Sequence, residues 1–389
     1  MLGYLFLAGA FFTACLWLDS GGNKEKDLIN AILKENVAKN NTHAFIKSVR
    51  ENVYFIDLPV GLEFSQLQKA QGKIENAIQK QVVIENNNFT YTIEVVEPVP
   101  IPTLAPFEFV KSNDSDGLEL AIGTNGKKTI CLNLKSSPHS LIAGATGSGK
   151  SVFLKGLILQ ILHNCPDAEL ELFDFKAGIE LSDFKDLKQA NSFTIYPDDA
   201  TEEIERIYGE INERFNTIKN TLYKDSKRKK CRDIFEYNQS VSKSKRMNYK
   251  FVIIEEFTVL LGSDKDELET TLTKCLAISR ATGTYFIFTS QRFSSRILNG
   301  DIKANAENKI CFRVSDKLNG RMVLDSDAGA EKISVKGRGI FSQNGHLQEF
   351  QSFYVSNEEM ERYLEQHLQI EETKEQPILT EKGSGTIWR

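Results

Sequence analysis

The chain has 389 residues, with 41% hydrophobic and 26% charged residues, 48 Lys+Arg against 53 Asp+Glu, and a formal charge of −5. This length predicts two or three domains, and 9 prolines against 25 glycines exclude a collagenous, wholly disordered or polytopic membrane protein. The near-neutral balance gives no global sign of a nucleic-acid binder, so any basic surface must be local.

The elements begin with Met1 to Leu18, MLGYLFLAGAFFTACLWL, which carries no charge. As a helix it would be roughly 27 Å long, close to a bilayer core of about 30 Å. It lacks the basic start and the cleavage site of a secretory signal, so a retained membrane anchor is expected over a cleaved leader, a lipidated Cys15 or a buried core helix. Lys24 and Lys26 alternate with Glu25 and Asp27, so the flanking charges scarcely set an orientation.

A small α+β domain is expected over 19–97. Apolar residues at helical spacing (Leu28, Ile29, Ile32, Leu33, Val37) predict a helix within Lys24 to Arg50, and NVYFIDLPVG predicts a strand. Phe64 to Lys80 is helix-like. Gln81–Ile84 and Phe89–Val96 are strand-like, with a turn at Asn86-Asn87-Asn88. The stretch EPVPIPTLAP reads as stiff, and a linker is expected over 98–117. Beyond it, strands alternate with helices over 118–357, the pattern of an α/β sheet covered on both faces. Residues 358–389 are expected to be helical and then disordered.

GATGSGKS, Gly144 to Ser151, matches the phosphate-binding pattern G-x-x-x-x-G-K-[ST] between an apolar strand and a helix. Its members are Gly144, Ala145, Thr146, Gly147, Ser148, Gly149, Lys150 and Ser151. Glycines let backbone N–H groups close on phosphates, Lys150 reaches the outer phosphates, and the Ser151 hydroxyl can hold Mg²⁺. ATP with Mg is therefore the expected cofactor. FVIIEE, Phe251 to Glu256, is an apolar strand ending in paired carboxylates. Glu255 is expected to bind Mg²⁺ through water and Glu256 to polarise the attacking water. Asp is usual in the first position, and the extra methylene of Glu255 carries its carboxylate about 1.5 Å further from the strand. TYFIFTSQR ends in Gln291, whose amide can bond both water and a phosphate oxygen.

The six cysteines are scattered without a CxxC pair, and none of the five histidines has metal-ligand spacing. A disulfide framework or zinc site is not expected, and a reduced cytosolic setting is. Lys224 to Lys250 holds ten Lys/Arg and three acids, read first as a solvated loop and second as a DNA-facing or partner-binding insertion.

HSLIAGATGSGKSVFLKGLI, FVIIEEFTVLL, SRATGTYFIFTSQR, IKANAENKICFRVSDKLNGRMVLDSDAGAEK and GRGIF, in this order, resemble the FtsK/SpoIIIE family of DNA-translocating ATPases. The resemblance covers roughly Leu118 to Val355. It implies a RecA-like P-loop fold, a homo-hexameric ring around double-stranded DNA, ATP between subunits, and an arginine finger at Arg280 that reaches a neighbour's γ-phosphate. It further implies pore-lining contacts to DNA at Arg292, Lys303, Lys317 and Arg321. The long membrane region and C-terminal winged helix of the chromosome-segregating members are not expected in this sequence. The short chain with one hydrophobic segment is similar instead to FtsK-like coupling proteins of Gram-positive conjugative elements. That similarity implies a cell-membrane location with the motor in the cytosol, and a relaxase and type IV secretion channel components as partners. The alternatives are an FtsK-like ATPase that moves proteins, or a nucleotide-binding platform that does not hydrolyse.

Overall fold

In the computed structural model of the protein, the described residues are 24–369, apart from 79, 97–98, 225, 261–264, 294–299 and 344. The expected anchor Met1–Leu18 and the tail beyond residue 369 lie outside them. Among the described residues, no helix is long and apolar enough to cross a membrane. The chain divides into two units, Met1–Val99 and Pro100–Arg389.

The first unit opens with α1 (Lys24–Asn36), which buries Ile29 and Leu33, one turn apart. The helix ends at Asn36, where the apolar spacing, which runs to Val37, also stops. Asn40 and Asn41 both adopt left-handed φ, 50° and 64°, and form the two-residue turn of a hairpin between β1 (Ala38–Lys39) and β2 (Thr42–His43). Asparagine tolerates this conformation better than other non-glycine residues, which is why the chain reverses there. Next come β3 (Phe45–Arg50), β4 (Val53–Asp57), α2 (Phe64–Lys69), α3 (Gln71–Ile78), β5 (Gln81–Asn87) and β6 (Thr90–Val96). The stretch expected to form a single helix to Lys80 is thus two, divided at Ala70. The expected Asn-rich turn falls later, at Asn88-Phe89, again with positive φ at both residues, so Phe89 is exposed instead of opening a strand. The sheet order is β3-β4-β6-β5, all antiparallel. Alternation buries Tyr54, Ile56, Ile93 and Val95 against Ile29, Leu33, Leu67 and Ile74.

The second unit is built on one large mixed sheet. Its strands are β7 (Ala105–Pro106), β8 (Glu119–Thr124), β9 (Thr129–Asn133), β10 (Ser140–Ala143), β11 (Glu169–Asp174), β12 (Ala190–Thr194), β13 (Lys250–Glu255), β14 (Thr284–Ser290), β15 (Asn308–Phe312), β16 (Arg338–Gln343) and β17 (His346–Tyr354). The order is β12-β11-β13-β14-β10-β15-β16-β17-β8-β9, with β7 added alongside β17. The six strands from β12 to β15 run parallel and the remainder of that path is antiparallel.

The helices are α4 (Lys150–Asn164), α5 (Pro197–Asn220), α6 (Ile234–Ser240), α7 (Lys265–Thr282), α8 (Gly300–Asn305), α9 (Lys317–Leu324) and α10 (Asn357–Gln369). A parallel strand covered on both faces must be apolar along its length, and every residue of β10, β13 and β14 is buried. One core layer packs α4 through Phe153, Leu157, Ile158 and Ile161. The other packs Ile204, Ile207 and Ile211 of α5, and Leu272, Cys275 and Leu276 of α7. The architecture is mixed α/β with a large mixed sheet, consistent with a RecA-like P-loop ATPase.

One charged cluster lies inside this frame. Lys250, 1% exposed, bonds Glu171, Glu210 (2.8 Å) and Glu169 (3.3 Å), and Arg206 also reaches Glu171 (2.7 Å). Burial alone would lower the Lys250 ammonium pKa, but the carboxylates around it hold it above the ordinary lysine value.

Candidate functional site

Because β10, β13 and β14 are parallel, their C-terminal ends share one edge, and β14 lies between the other two. The loop after β10 is Gly144 to Gly149, and it turns directly into α4. Gly149 has φ 104°, and a Cβ there would lie 2.8 Å from the Gly337 nitrogen. Gly337 donates in turn to the Ser148 carbonyl (2.8 Å), so the phosphate loop is docked on the segment that enters β16. The sixth residue of the motif is glycine for two reasons, backbone conformation and close approach.

Lys150, 4% exposed, points from the first turn of α4 to Glu255 Oε1 at 2.6 Å. Lys176, from the loop after β11, donates to the same oxygen at 2.7 Å, and Thr289 of β14 donates to Glu255 Oε2. Glu255 is fully buried with both oxygens engaged. The longer glutamate side chain thus makes a direct pair with the phosphate-loop lysine. Burial lowers the Lys150 pKa, an effect that the charge of Glu255 offsets only in part and that the like charge of Lys176 reinforces.

Glu256 leaves the strand in the left-handed region, φ 59°. Its Oε1 accepts from Ser290 Oγ (2.8 Å), Thr258 Oγ1 (2.9 Å) and the Gln291 backbone N–H (3.2 Å). Burial would raise the Glu256 pKa, but these donors outweigh it and hold the carboxyl below its usual range, so it is ionised at neutral pH. Its Oε2 is buried with no hydrogen-bond partner, 3.6 Å from Lys176 Nζ. Gln291 closes the gap between strand end and loop by accepting from Thr146 Oγ1 at 3.1 Å.

A cavity of about 300 Å³ opens beside the two glutamates, lined by the phosphate loop together with Lys176, Glu180, Gln291 and Lys336. The Ser148 hydroxyl is also buried without a partner. Unpaired buried polar atoms, two lysines and a helix N-terminus suit a polyphosphate and a water or cation beside it.

Lys176 and Lys336 were not anticipated as site residues. A signal for Lys176 was present: ELELFDFK is a second apolar strand ending in an acid. That acid, Asp174, accepts from the backbone of Lys176 (3.0 Å), Glu180 (2.7 Å) and Leu181 (2.8 Å), and so folds the loop that brings Lys176 to Glu255. Nothing local marks Lys336, which arrives through the pairing of β15 with β16.

Arg280 stands apart from this constellation. It is exposed in the last turn of α7, which leads into the start of β14, at the edge opposite Gln291. The seven residues of β14 separate the two edges by about 23 Å. Three contacts pin this turn. Ser279 Oγ lies 3.1 Å from the buried His139 ring, Arg214 donates to the Thr282 carbonyl (3.2 Å), and Thr282 Oγ1 donates to the Ser279 carbonyl (3.0 Å).

The four cations assigned to DNA gather around α9. Lys317 and Arg321 lie one turn apart on it, and Arg292 donates to Asn319 at 3.1 Å. Lys303 of α8 pairs with Asp325 at the C-cap of α9. Lys317 pairs with Asp327 at 3.1 Å, an exposed pair worth little to either partner. The basic stretch 224–250 is irregular through Cys231 and then forms α6 around Ile218, Cys231, Ile234 and Tyr237. Apart from the buried Lys250, its described lysines and arginines face solvent, with Lys229 and Arg232 both on Glu236. Among the described residues, the five cysteines are free and no metal-binding cluster occurs.

Residues 110–295 match the FtsK/SpoIIIE family. The chain is 36% identical over 244 residues to the DNA translocase FtsK of Treponema pallidum, which covers 60% of this chain and 29% of that protein. With FtsK of Clostridium acetobutylicum it shares 31% identity, covering 64% and 33%. The chain therefore spans about a third of the length of these relatives. The pCW3 conjugation coupling protein TcpA, solved with ATPγS, is 23% identical with a TM-score of 0.61, over 88% of this chain and 99% of that one. The cytoplasmic domain of the type VII secretion ATPase EccC of Thermomonospora curvata is 22% identical with a TM-score of 0.54, over 68% and 31%. Both likenesses are of fold.

Proposed function

We propose that this chain, whose residues 110–295 match the FtsK/SpoIIIE family, hydrolyses ATP to move double-stranded DNA, as a membrane-tethered coupling protein of conjugative transfer. The observation that carries hydrolysis is Glu256. It is an ionised carboxylate with one oxygen fixed by three donors and the other buried without a hydrogen-bond donor, 3.6 Å from Lys176, a residue that lines the phosphate cavity. That second oxygen is where an attacking water would give up its proton.

ATP would lie on Gly144 to Ser151, and Lys150 would exchange Glu255 for phosphate oxygens. Mg²⁺ would be held by Ser151 and, through water, by Glu255, and would neutralise charge on the phosphates. Lys176 keeps Glu255 paired when Lys150 leaves it. Gln291 links water and phosphate to the β14 strand end. Arg280 cannot serve its own site, so it serves a neighbour's, which requires a closed ring such as a homo-hexamer. Arg292, Lys303, Lys317 and Arg321 would contact DNA phosphates without reading sequence.

Conjugation is supported by the match to the TcpA structure across nearly all of that chain. A relaxase and type IV channel components would then be the partners, with Met1–Leu18 anchoring the motor on the cytoplasmic side of the cell membrane. A protein-moving ATPase is the second reading, supported by the EccC likeness, although that likeness covers 31% of the EccC structure. A non-hydrolysing platform is the third, motivated by the fully engaged Glu255. Glu256→Gln tests hydrolysis: nucleotide affinity should be kept while turnover falls by about 10²–10³-fold, within the usual contribution of a general base. Equal, negligible turnover in both proteins would leave the platform.

A further inference from the structure

An exposed arginine on a helix end reaches a fixed point only if the turn beneath it is fixed, because its own side chain has many rotamers. Helix ends also leave their last carbonyls without partners inside the helix, so they fray unless other groups take those carbonyls up. Two residues beyond Arg280, the Thr282 carbonyl accepts from Arg214 of α5 at 3.2 Å. Gly283 then reverses the chain with φ 68°, and its carbonyl accepts from the Lys250 backbone N–H at 2.9 Å. The turn is also closed from outside: a Cβ on Gly283 would lie 2.5 Å from Ile234 Cδ1 of α6.

Arg214 suits this place in charge and in shape. A cation at a helix C-terminus is favoured by the helix dipole. Its planar fork sets one nitrogen on the Thr282 carbonyl and another on both oxygens of Glu169, at 3.1 and 3.2 Å. Glu169 is held in turn by Lys250 Nζ at 3.3 Å, and Lys250 by Glu210 at 2.8 Å and by Glu171. Glu169 and Lys250 are the first residues of β11 and β13. The brace therefore runs from the helix end onto two parallel strands of the sheet. A buried ionic network adds little stability over apolar side chains of the same volume, and the nucleotide site uses none of these groups, so holding the turn is the task left to them.

We propose that Arg214, braced by Glu169 and Lys250, is the positioning residue that aims Arg280 at the neighbouring subunit's nucleotide. The inference rests on the reading that Arg280 acts in a neighbour's site.

The test is steady-state ATPase of Arg214→Met, alone and in mixtures. Methionine keeps much of the stem and Glu169 keeps Lys250, so the subunit should assemble and bind ATPγS as wild type does. Its turnover should fall roughly 10- to 10²-fold, the scale of a misplaced catalytic group. Mixed with Lys150→Met, whose finger turn is intact, it should exceed the sum of the separate rates, because its own phosphate loop is sound. Mixed with Arg280→Ala it should show no such gain, because neither subunit supplies a well-aimed finger. Any other result overturns the proposal: unchanged turnover, gain with both partners or with neither, or gain with Arg280→Ala alone, which would place the defect in the subunit's own nucleotide site. Should Arg214→Met fail to assemble, Arg214→Lys, which keeps the charge but loses the fork, takes its place in the same mixtures with the same outcomes deciding. Failure of the reference mixture, Lys150→Met with Arg280→Ala, would bring down the shared-site reading itself; its success beside an overturning result removes only the role of Arg214.

Discussion

Lys150→Met should abolish turnover, with a loss of more than about 10³-fold, and weaken ATP by about 10²-fold, while the protein melts near the wild-type temperature. The first two effects follow from removing a charged donor aimed at phosphate oxygens, since such bonds in a low-dielectric site are the strong ones. The third follows from Lys176. Removing one member of a buried ion pair is usually severe, because it strands a charge. Here Glu255 keeps Lys176 at 2.7 Å and the Thr289 hydroxyl, so it is not stranded. The methionine stem also fills the space of the lysine. Titration with ATPγS and a thermal melt check both halves. Near-normal affinity would refute the assignment of the loop, and a collapse in melting temperature would refute the role given to Lys176.

Arg280→Ala should lower turnover by roughly 10³-fold, the lower end of the effect of an arginine finger, with ATPγS affinity nearly unchanged. The stronger prediction concerns mixtures. An Arg280→Ala subunit keeps its phosphate loop, and a Lys150→Met subunit keeps its finger. Mixing the two inactive proteins should therefore restore part of the activity, through sites assembled from one of each. The expectation rests on the proposed role of Arg280 at a neighbour's site, since Arg280 and Gln291 of one chain lie at opposite edges of the sheet. No recovery on mixing, with each variant folded and assembled, would contradict a site shared between subunits.

The phosphate loop, the paired glutamates and Gln291 were legible because each is a local pattern at the end of an apolar strand. Their convergence follows from strand order alone, once β14 lies between β10 and β13. Three things were not legible, each for its own reason. The hairpin at Asn40-Asn41 follows directly on the helix that the apolar spacing marks, and its left-handed φ is invisible to periodicity. Lys176 depends on a loop folded by Asp174, a second strand-end acid whose role is structural. The segment before Phe107 reads as a proline-rich spacer, and only its pairing with β17, some 250 residues later, makes it part of the sheet. The charge total was also uninformative. The four cations around α9 are a local feature, and Asp325 and Asp327 beside them cancel part of their charge in any sum.

The central claim is that hydrolysis by this chain is coupled to double-stranded DNA. Steady-state ATPase rates with and without long linear duplex, on wild type and on a variant with Arg292, Lys303, Lys317 and Arg321 all changed to glutamine, test it most directly. The account predicts marked stimulation of wild type by duplex at low salt, fading as salt rises, and none in the variant, whose basal rate is retained. Wild-type turnover that is indifferent to duplex at every salt concentration would contradict it.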